Sequence, residues 1–524
     1  MGIYLNPGNS GFKTVRNSRY VDKSGLIRLI NDTIGTTQKL SCVSRPRRFG
    51  KSFAAKMMCA YYDKTCDSSA LFDDLAIARD KSYREHLNKY DVIYLDVTGV
   101  IGTTGKEDIV SFIKRNVTRE LTKAYPGLVV RESFLDTLSN AVELAGNKFI
   151  MIIDEWDALI REEKNQPEIQ REYLEFLCSL FENSDITDKV FAAAYMTGIL
   201  PIKKDGSQSF VSDFEEYSIL LPSRFAEYVG FTENEVIKLC NEYHSDFSMM
   251  KQWYDGYILE NVGTVYNPYS VMKAIYNDDF DSYWTETSSA ASLMDYISLN
   301  FDGLSRTITE LIGGGEAKVD TNGFSNDMIT FRNRDDVLTL LIHLGYLTYN
   351  KETEQVHIPN EEIRKEFART IRDVKRDETV RRVRESDQLI CDTVFRNADA
   401  VAAQIEKIHG EEAPLYYNSE QSLRRVIKRA YFSYADEYLK FEELPAGDGY
   451  ADIVYLPKKN SPVPALVIEL KWNKSAKGAI EQIKDKHYPD AIKDYGGKIL
   501  LVGINYDKDA PAGKRKHTCV IEQC

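Results

Sequence analysis

The sequence predicts an α/β protein of several domains: first a helix-covered parallel sheet, then a mainly helical region, and last a smaller mixed α/β domain. Three observations predict this class. The chain has 524 residues, 43% hydrophobic and 28% charged, which is enough apolar material for more than one core. Short apolar strands alternate with amphipathic helices in the first half, a pattern typical of parallel sheets. The last 105 residues follow the order helix, three strands, helix, strand.

The N-terminal sheet is predicted from five short apolar runs, each long enough for one strand and too short for a helix. The amphipathic stretches between them have the period of helices that would cover the sheet. The predicted strands are Lys39–Val43, Val92–Val97, Phe149–Ile153, Val190–Met196 and Tyr217–Leu221. The clearest predicted helices are Ser52–Tyr62, Ile109–Lys123 and Glu168–Phe181.

The middle of the chain is predicted to be mainly helical. Thr232 followed by Glu235 forms a capping box at the start of one helix. Further on, a helix at Val337–Leu344, a hairpin around the charged turn Lys351–Glu354 and a helix from Pro359 resemble a winged-helix unit. We interpret this helical, winged-helix-like region as a packing module rather than as a direct reader of DNA.

The C-terminal domain follows a charged stretch, Asp373–Glu385, which we interpret as a solvated hinge. Its predicted elements are a helix at Glu420–Ala435, strands at Lys440–Glu443, Tyr450–Leu456 and Ala465–Leu470, a helix at Ala476–Asp485 and a strand at Lys498–Ile504. The predicted division is a parallel-sheet domain at 1–225, the helical region at 226–372, a helical linker at 373–415 and the last domain at 416–524.

Charge and cysteine content narrow the classes of protein and partner. With 67 basic and 80 acidic residues the net charge is -13, which argues against a bulk polyanion binder. Residues 420–524 hold 18 basic and 15 acidic side chains, against 49 and 65 elsewhere, so a polyanion fits the C-terminal part better. The eight cysteines lack zinc-ligand spacing, and neither a signal peptide nor an apolar stretch of about 20 residues is visible. We expect a cytoplasmic protein in a reducing compartment, without membrane association.

The first motif with chemical content is the loop Arg45-Pro46-Arg47-Arg48-Phe49-Gly50-Lys51-Ser52. It matches the phosphate-binding loop Gly-x-x-x-x-Gly-Lys-Ser at its last three positions, with Arg45 in place of the first glycine. A strand leads in and a helix begins at Ser52, so backbone N–H groups and the helix dipole would face an anion. Lys51 would reach the β- and γ-phosphates, and the Ser52 hydroxyl would bind Mg²⁺. A surface turn with a basic cluster is the alternative. The candidate nucleotide-binding residues of the loop are Arg48, Phe49, Gly50, Lys51 and Ser52.

Two acids end the apolar run Phe149–Ile153, at the edge of the sheet where the phosphate loop is expected. Asp154 would hold Mg²⁺ through water, and Glu155 would polarise the water that attacks the γ-phosphate. The strand Val190–Met196 ends in Thr197, whose hydroxyl would lie between the acids and the phosphate. A plain strand-end turn explains Thr197 equally well.

A second set of charged residues lies in the C-terminal domain. Asp452 falls in one predicted strand, and Glu469 and Lys471 are two apart on the next, so the latter two share a face. A hairpin would bring Asp452 beside Glu469, where two carboxylates can bind Mg²⁺ while Lys471 orients or deprotonates a water. An exposed charged hairpin is the alternative, but charges within an apolar strand favour a shared polar site. Glu420 would be a third metal-binding carboxylate or merely a first-turn helix acid.

Several motifs together resemble the bacterial AAA-ATPase-like proteins fused to a PD-(D/E)XK nuclease-like domain. The resemblance covers nearly the whole chain. The residues that carry it are Arg45–Ser52, Ile153–Asp157, Thr197–Gly198, Tyr20–Ser24, Gly230–Glu233, Trp253–Tyr257, Tyr266–Ser270, Asp452, Glu469, Lys471 and Gln482.

The resemblance implies specific roles. Arg45 becomes a family feature of the loop rather than decay of the site. Asp452, Glu469 and Lys471 fill the catalytic positions of the nuclease, and Gln482 fills its helix position. The family more often has Tyr in place of Trp156, and we interpret its aromatic motifs as packing.

The sequence therefore predicts an ATP-binding and ATP-hydrolysing P-loop protein coupled to a Mg²⁺-dependent nuclease-like domain that acts on nucleic acid, with DNA favoured over RNA. A homo-oligomer is left open. One alternative is a nucleotide-dependent signalling or assembly switch that binds nucleic acid without cleaving it; another is a structural protein that binds no nucleotide. The arginines left unranked as phosphate contacts are Arg45, Arg47, Arg48, Arg161 and Arg224.

Overall fold

The computed structural model describes most of the chain. The described residues are 2–104, 108–163, 166–182, 184–202, 204–205, 208–209, 213–284, 301–326, 331–372, 378–410, 420–431, 438–446, 449–458, 463–489, 492, 498–511 and 516–524.

The chain divides into two compact units. The N-terminal unit comprises Met1–Glu286 and Lys318–Ile363, and the C-terminal unit comprises Thr287–Ala317 and Arg364–Cys524. Each unit is therefore built from two separate segments of the chain. The predicted domains, with boundaries at 225, 372 and 415, are each one continuous segment. Those boundaries stay predictions.

A five-stranded parallel sheet forms the centre of the N-terminal unit. Its order is β2-β3-β4-β1-β7, so the strand that enters the phosphate loop, β1, lies between β4 and β7. The strands of this unit begin with β1 Leu40–Ser44, β2 Asp91–Asp96, β3 Phe149–Asp154, β4 Phe191–Gly198, β5 Lys204–Asp205, β6 Gln208–Ser209 and β7 Glu215–Tyr217. The residues of β1, β3 and β4 are all buried, as expected for a parallel sheet covered on both faces.

The fifth strand differs from its prediction. Strand β7 ends at Tyr217 instead of beginning there, and only Glu215, Glu216 and Tyr217 pair with β1. The apolar residues that follow run into Pro222, which has no N–H to donate to a ladder, and Leu221 is exposed. The apolar residues after Tyr217 therefore do not form a strand, although their hydrophobicity predicted one.

Helices surround the sheet. Those at Lys51–Tyr62, Ile109–Ala124 and Pro167–Phe181 begin and end within one residue of their predicted bounds. The helices of the first 190 residues are α1 Ser10–Arg16, α2 Gly25–Asn31, α3 Lys51–Tyr62, α4 Ser69–Phe72, α5 Tyr83–His86, α6 Val97–Thr104, α7 Ile109–Ala124, α8 Phe134–Ala145, α9 Ala158–Glu162, α10 Pro167–Phe181 and α11 Ser184–Val190.

The helical region shows the predicted capping box and the predicted order of helix, hairpin and helix. Both hydrogen bonds of the Thr232–Glu235 box are present. Its elements are β8 Phe231–Thr232, α12 Glu233–Tyr243, α13 Phe247–Tyr254, β9 Tyr257–Leu259, β10 Gly263–Tyr266, α14 Pro268–Asn277, α15 Leu304–Ile312, β11 Ala317–Lys318, α16 Arg334–Leu344, β12 Thr348–Asn350, β13 Gln355–His357 and α17 Glu361–Arg372. Strands β8, β10 and β9 form a small antiparallel sheet, and β12 pairs with β13.

A second five-stranded sheet, of order β14-β15-β16-β17-β18, forms the C-terminal unit. Only β16 and β17 pair in parallel, so the sheet is mixed, as predicted. Helices α18 to α20 contribute to one apolar core and α21 to another. Its elements are α18 Glu378–Val394, α19 Ala398–Gly410, α20 Glu420–Ala430, β14 Tyr438–Ala446, β15 Gly449–Pro457, β16 Ala465–Trp472, α21 Ala476–Asp485, β17 Ile499–Tyr506 and β18 His517–Gln523.

Two features of this unit differ from the sequence prediction. Strand β18 was not predicted because its apolar run, Cys519–Ile521, is only three residues long, and it is a partly exposed edge strand. Helix α20 ends at Ala430, and residues 432–435 of its predicted range lie outside the described residues. The fold class, a parallel-sheet domain followed by a mixed α/β domain, is nevertheless confirmed. Among the described residues, no helix is both long and apolar enough to cross a membrane.

Candidate functional sites

The phosphate loop turns sharply between β1 and α3. Arg48 and Gly50 both have positive φ, 68° and 88°, so the chain reverses immediately before the helix. Gly50 is the N-cap of α3, and no side chain caps the helix there. The first N–H groups of α3 therefore remain available to an anion, as the motif predicts.

Lys51 is directed to the acids of β3 rather than to solvent. Its Nζ donates to Pro46 O at 2.9 Å and lies 3.6 Å from Glu155 Oε1. The side chain is only 3% exposed, so this cation is buried among polar groups. The loop and the end of β3 thus come together as the spacing predicts.

Asp154 lies where β3 and β4 end side by side. It pairs in register with Thr197, which in turn pairs with Val43 of β1, and all three are buried. Asp154 Oδ1 has no hydrogen-bond partner among the described residues, and Oδ2 lies 3.5 Å from Tyr94 Oη. Burial raises the pKa of Asp154 to about 6, although the nearby Ser52 side chain lowers it. A buried carboxylate oxygen that lacks a donor is suited to a cation.

Glu155 is held by two cations. Its Oε2 accepts from Arg161 Nη2, and its Oε1 faces Lys51. Burial would raise the pKa of Glu155, but Lys51, Arg161 and Arg47 outweigh it and the pKa is lowered. Glu155 is therefore ionised at neutral pH, as a group that accepts a proton must be.

Asp157 anchors this arrangement and was not predicted as a site residue. Its Oδ2 accepts from Arg161 Nε at 2.9 Å and from the backbone N–H groups of Ile199 and Leu200 at 3.1 and 2.8 Å. A Cβ at Gly198 would lie 2.6 Å from Asp157 Oδ1, so the Thr-Gly end of β4 is needed for this close packing. The sequence did hold a signal, because Asp157 and Gly198 both lie in motifs that carry the family resemblance.

The aromatic motifs pack against the phosphate loop. The ring of Phe49 meets that of Tyr257 edge-on with centroids 5.0 Å apart, and Tyr257 Oη donates to Gly345 O at 3.0 Å. Gly345 has a φ of 87°, and a Cβ there would lie 2.7 Å from Pro46 Cβ. The contacts of Tyr257 thus show this aromatic motif packing against the phosphate loop.

Arg48 also contacts these motifs. Its guanidinium lies 4.0 Å from the Tyr269 ring centroid, and Nη1 donates to Tyr283 O. Tyr283 N and Ser270 Oγ both donate to the buried Glu362 Oε1, at 2.9 and 2.8 Å. The predicted nucleotide contact of Arg48 stays a prediction, because here its side chain has partners within the protein.

The C-terminal candidates come together at the end of the β15–β16 ladder. Asp452 Oδ2 accepts from Leu470 N at 2.9 Å, next to the last ladder pair, Ile453 with Ile468. Lys471 Nζ donates to Glu469 Oε1 at 3.1 Å and to Gln482 Oε1 at 2.6 Å.

Gln482 Nε2 in turn donates to Glu469 Oε1. Asp452, Glu469 and Lys471 are all buried, with exposed fractions below 9%. The alternative of an exposed charged hairpin does not describe this cluster.

Glu469 keeps one acceptor open. Its Oε2 has no hydrogen-bond partner among the described residues. Burial and the charge of Asp452 raise the pKa of Glu469 to about 7, although Lys471 lowers it. As at Asp154, a buried carboxylate oxygen without a donor is suited to a cation.

Two neighbours of this cluster make contacts that the sequence did not predict, although the sequence makes Arg424 a candidate contact to a nucleic-acid backbone. Arg424 Nη2 pairs with Asp452 Oδ1, so this half-buried arginine neutralises the carboxylate. Gly503 pairs with Glu469 across the parallel β16–β17 ladder. A Cβ at Gly503 would lie 2.2 Å from Ala476 O, so α21, which carries Gln482, approaches the sheet only because this residue is glycine.

One predicted ligand lies outside the described side chains. Helix α20 begins at Glu420, but that side chain is not described, so its proposed metal contact stays a prediction. Within the described part of the chain, no group of three or more His, Cys, Asp or Glu residues is arranged to hold a metal ion. Each candidate site instead pairs two carboxylates with a lysine.

Two family models match the chain. Residues 8–207 match the AAA-ATPase-like family, described as a predicted AAA-ATPase, and residues 418–514 match the PD-(D/E)XK nuclease superfamily. The chain joins an AAA-ATPase-like domain to a PD-(D/E)XK nuclease-superfamily domain. The resemblance carried by the motifs is thereby confirmed. The first match contains the phosphate loop, Asp154 and Glu155, and the second contains Asp452, Glu469, Lys471 and Gln482.

The chain is also similar to individual proteins. An uncharacterised protein from the vnfD 5′ region of Azotobacter chroococcum mcd 1 is 22% identical over 511 residues, covering 94% of this chain and 93% of that protein. Among solved structures, the ORC2 protein of Aeropyrum pernix with ADPNP and ADP is 14% identical, with 68% of this chain and 97% of that chain covered and a TM-score of 0.30. The ORC1 protein of the same organism in complex with DNA is 10% identical, with 70% and 97% covered and a TM-score of 0.24.

Proposed function

We propose that the AAA-ATPase-like domain hydrolyses ATP and that the nuclease-superfamily domain cleaves phosphodiester bonds of nucleic acid with Mg²⁺. One shared observation carries the proposal. Each domain places a buried lysine beside two carboxylates at a strand end. In each, a buried carboxylate oxygen of that pair, Asp154 Oδ1 or Glu469 Oε2, has no hydrogen-bond donor among the described residues. Both oxygens fit a divalent cation, and the lysines fit a phosphate.

In the ATPase domain, the N–H groups at the start of α3 would bind the phosphates, and Lys51 would leave Pro46 O to neutralise the β- and γ-phosphates. Ser52 and Asp154 would hold Mg²⁺, which supplies charge neutralisation on the phosphate oxygens when bound. Glu155 would accept a proton from the attacking water, because its lowered pKa keeps it ionised. Thr197, between Asp154 and β1, would contact the terminal phosphate or the water.

In the nuclease domain, Asp452 and Glu469 would hold the cation, which activates a water and stabilises charge on the scissile phosphate when bound. Lys471 would orient that water or accept its proton, and Gln482 fixes the position of Lys471 through its hydrogen bond. Arg424 would have to release Asp452 Oδ1 for the cation to reach it. The released guanidinium would then be free to bind the backbone of the nucleic acid.

The ATPase proposal is tested by ATP turnover of the full chain. Lys51→Ala and Glu155→Gln should each lower kcat by about 100-fold or more, the usual cost of losing a charged catalytic group. Glu155→Gln should still bind ATP, since it keeps the shape of the side chain. A wild-type protein without turnover, or turnover that survives both changes, would remove the claim.

The nuclease proposal is tested with labelled single- and double-stranded DNA and RNA in Mg²⁺ or Mn²⁺. Cleavage should disappear in Asp452→Ala and in Lys471→Ala. Lys484→Ala is the matched control, because this lysine lies on the same helix as Gln482 but pairs with Glu522 in an exposed salt bridge. Cleavage that persists in both site variants would point to another site or to a contaminant.

The pairing of Arg424 with Asp452 favours a second candidate function. With Oδ1 taken by Arg424 and Oδ2 by Leu470 N, Asp452 has both oxygens engaged. A nucleotide-dependent switch whose nuclease-like domain binds nucleic acid without cleaving it is compatible with that arrangement. Binding of labelled DNA that depends on ATP, with intact DNA recovered in both Mg²⁺ and Mn²⁺, would support this candidate over the first.

A further inference from the structure

Five arginines are candidates to contact the phosphates of the nucleotide, and their partners in the structure differ. Arg45 is fully buried and donates from Nη1 to Ser44 O and Tyr217 O, at 2.9 and 2.8 Å. Arg224 donates to Tyr217 Oη at 3.3 Å and lies over the rings of Tyr217 and Phe225. Both arginines thus interact at strand β7, the edge of the sheet farthest from β2.

Two further arginines have partners close to the loop. Arg48 donates to Tyr283 O and stacks on Tyr269. Arg161 is neutralised by two carboxylates, Glu155 and Asp157. Moving either side chain to a phosphate would break interactions that the structure already has.

Arg47 is different because it makes no hydrogen bond or ion pair with any described residue, although it is half-buried. Its position is fixed by the chain. The carbonyl of Pro46 accepts from Lys51 Nζ at 2.9 Å, and Arg47 follows in the sequence, so its Cα lies within about 6 Å of that ammonium group. Its charge also acts on Glu155, which lies beside Lys51, and on Arg161, which pairs with Glu155.

A half-buried guanidinium without a carboxylate partner is a preformed anion site. Its planar donors match two oxygens of one phosphate, which a lysine cannot do. We propose that Arg47 binds the terminal phosphate of the nucleoside triphosphate and makes the site prefer a triphosphate to a diphosphate. This inference rests on the proposed ATPase function and assigns the contact to the same chain rather than to a neighbouring copy.

The experiment compares the affinities of the full chain for Mg-AMP-PNP and for Mg-ADP by calorimetry. Arg47→Ala should weaken AMP-PNP by about 10- to 100-fold, the range for one lost hydrogen bond to a charged group, and ADP by less than about threefold. Arg47→Lys should fall between, because it keeps the charge and loses the planar fork. Arg171→Ala, which removes an exposed arginine paired with Glu175 in the same unit, should change neither affinity.

The outcomes separate this inference from the function on which it rests. If wild-type protein binds neither nucleotide, the ATPase proposal and this assignment both fail. If wild-type protein binds both nucleotides, and Arg47→Ala keeps both affinities or weakens both equally, only the assignment of Arg47 fails. The melting temperature of Arg47→Ala without nucleotide must equal that of wild type, which shows that the variant still folds. If Arg47→Ala melts at a lower temperature, the two nucleotide affinities are compared in Arg47→Lys instead.

Discussion

The charge of Glu469 depends directly on the packing around it. The residue is 4% exposed and stands beside Asp452, and no donor in the described part of the chain reaches its Oε2. The resulting pKa of about 7 lies well above the ordinary value of 4.5. A bound cation would remove the cause of that shift by supplying the missing positive charge.

This shift predicts a pH dependence of the metal-free protein. Between pH 4.5 and about 7 the folded state binds more protons at Glu469 than the unfolded state, so this group lowers the free energy of unfolding as pH rises through that window. The full effect is on the order of 3 kcal/mol. Urea unfolding in EDTA should therefore show Glu469→Gln gaining stability over wild type from pH 4.5 to 7.5. A difference that does not change with pH would contradict the assigned environment.

The guanidinium of Arg424 lies beside Asp452, where a metal ion would otherwise supply the positive charge. Replacing Arg424 should therefore make this carboxylate accessible to metal. We expect Arg424→Ala to bind Mn²⁺ several-fold more tightly than wild type, because no guanidinium has to be displaced. The metal-free protein should lose about 1–3 kcal/mol of stability, since a buried carboxylate then lacks its partner. Arg425→Ala, on the exposed side of the same helix, is the control. Equal Mn²⁺ affinity in all three proteins would show that the ion pair does not compete with metal.

At the scale of elements, the sites lie at the ends of strands, and glycines allow neighbouring elements to pack closely beside them. Helix α21 reaches β17 across Gly503, and Gln482 on that helix then reaches Glu469 and Lys471. The phosphate loop is similarly supported by Gly345, which follows α16.

Gly503→Ala should destabilise the C-terminal unit by about 1–3 kcal/mol, because the added Cβ would lie 2.2 Å from a backbone oxygen and α21 must move. Gly410→Ala, at the end of α19 with no atom within 4 Å of the new Cβ, should change stability by less than about 0.5 kcal/mol. Chemical denaturation of both variants checks this. Comparable small effects would mean that the helix does not need the glycine.

Gly345→Ala should weaken nucleotide binding, because its Cβ would push on Pro46 within the phosphate loop. Gly263→Ala is a matched control: its φ is 89°, close to the 87° of Gly345, but no atom lies within 4 Å of the new Cβ. Both changes strain the backbone, and only the first should raise the Kd for Mg-AMP-PNP. A Kd that rises equally in both would assign the effect to strain rather than to contact with the loop.

The sequence predicts the elements that have strong local signals. Buried strands such as Phe149–Asp154 and helices such as Lys51–Tyr62 follow from apolar runs and periodicity, and the acids at strand ends follow from position. What it could not predict depends on distant partners. The ion pair of Arg424 joins residues 28 apart, the anchor at Asp157 binds residues beyond position 198, and edge strand β18 has an apolar run of only three residues, Cys519–Ile521. Local pattern carries no information on such pairs.

At the scale of the whole molecule, two units of different chemistry share one chain. Because each unit is compact by itself, each is expected to unfold in a calorimetric transition of its own. Mg-ATP at about 100 times its Kd should add about 2.7 kcal/mol to the stability of the N-terminal unit. In calorimetry, only the transition of that unit should move to higher temperature, and Lys51→Ala should abolish the shift. A flat curve in wild type would instead support a structural protein that binds no nucleotide.

The central claim is that two independent sites each collect carboxylate oxygens around a divalent cation. Mn²⁺ binding to the full chain, followed by electron paramagnetic resonance with and without AMP-PNP, tests it most directly. We predict that Asp154→Asn abolishes the nucleotide-dependent Mn²⁺ signal and leaves the other intact, whereas Glu469→Gln does the reverse. Loss of both signals in either variant, or of neither signal in both variants, would contradict the account.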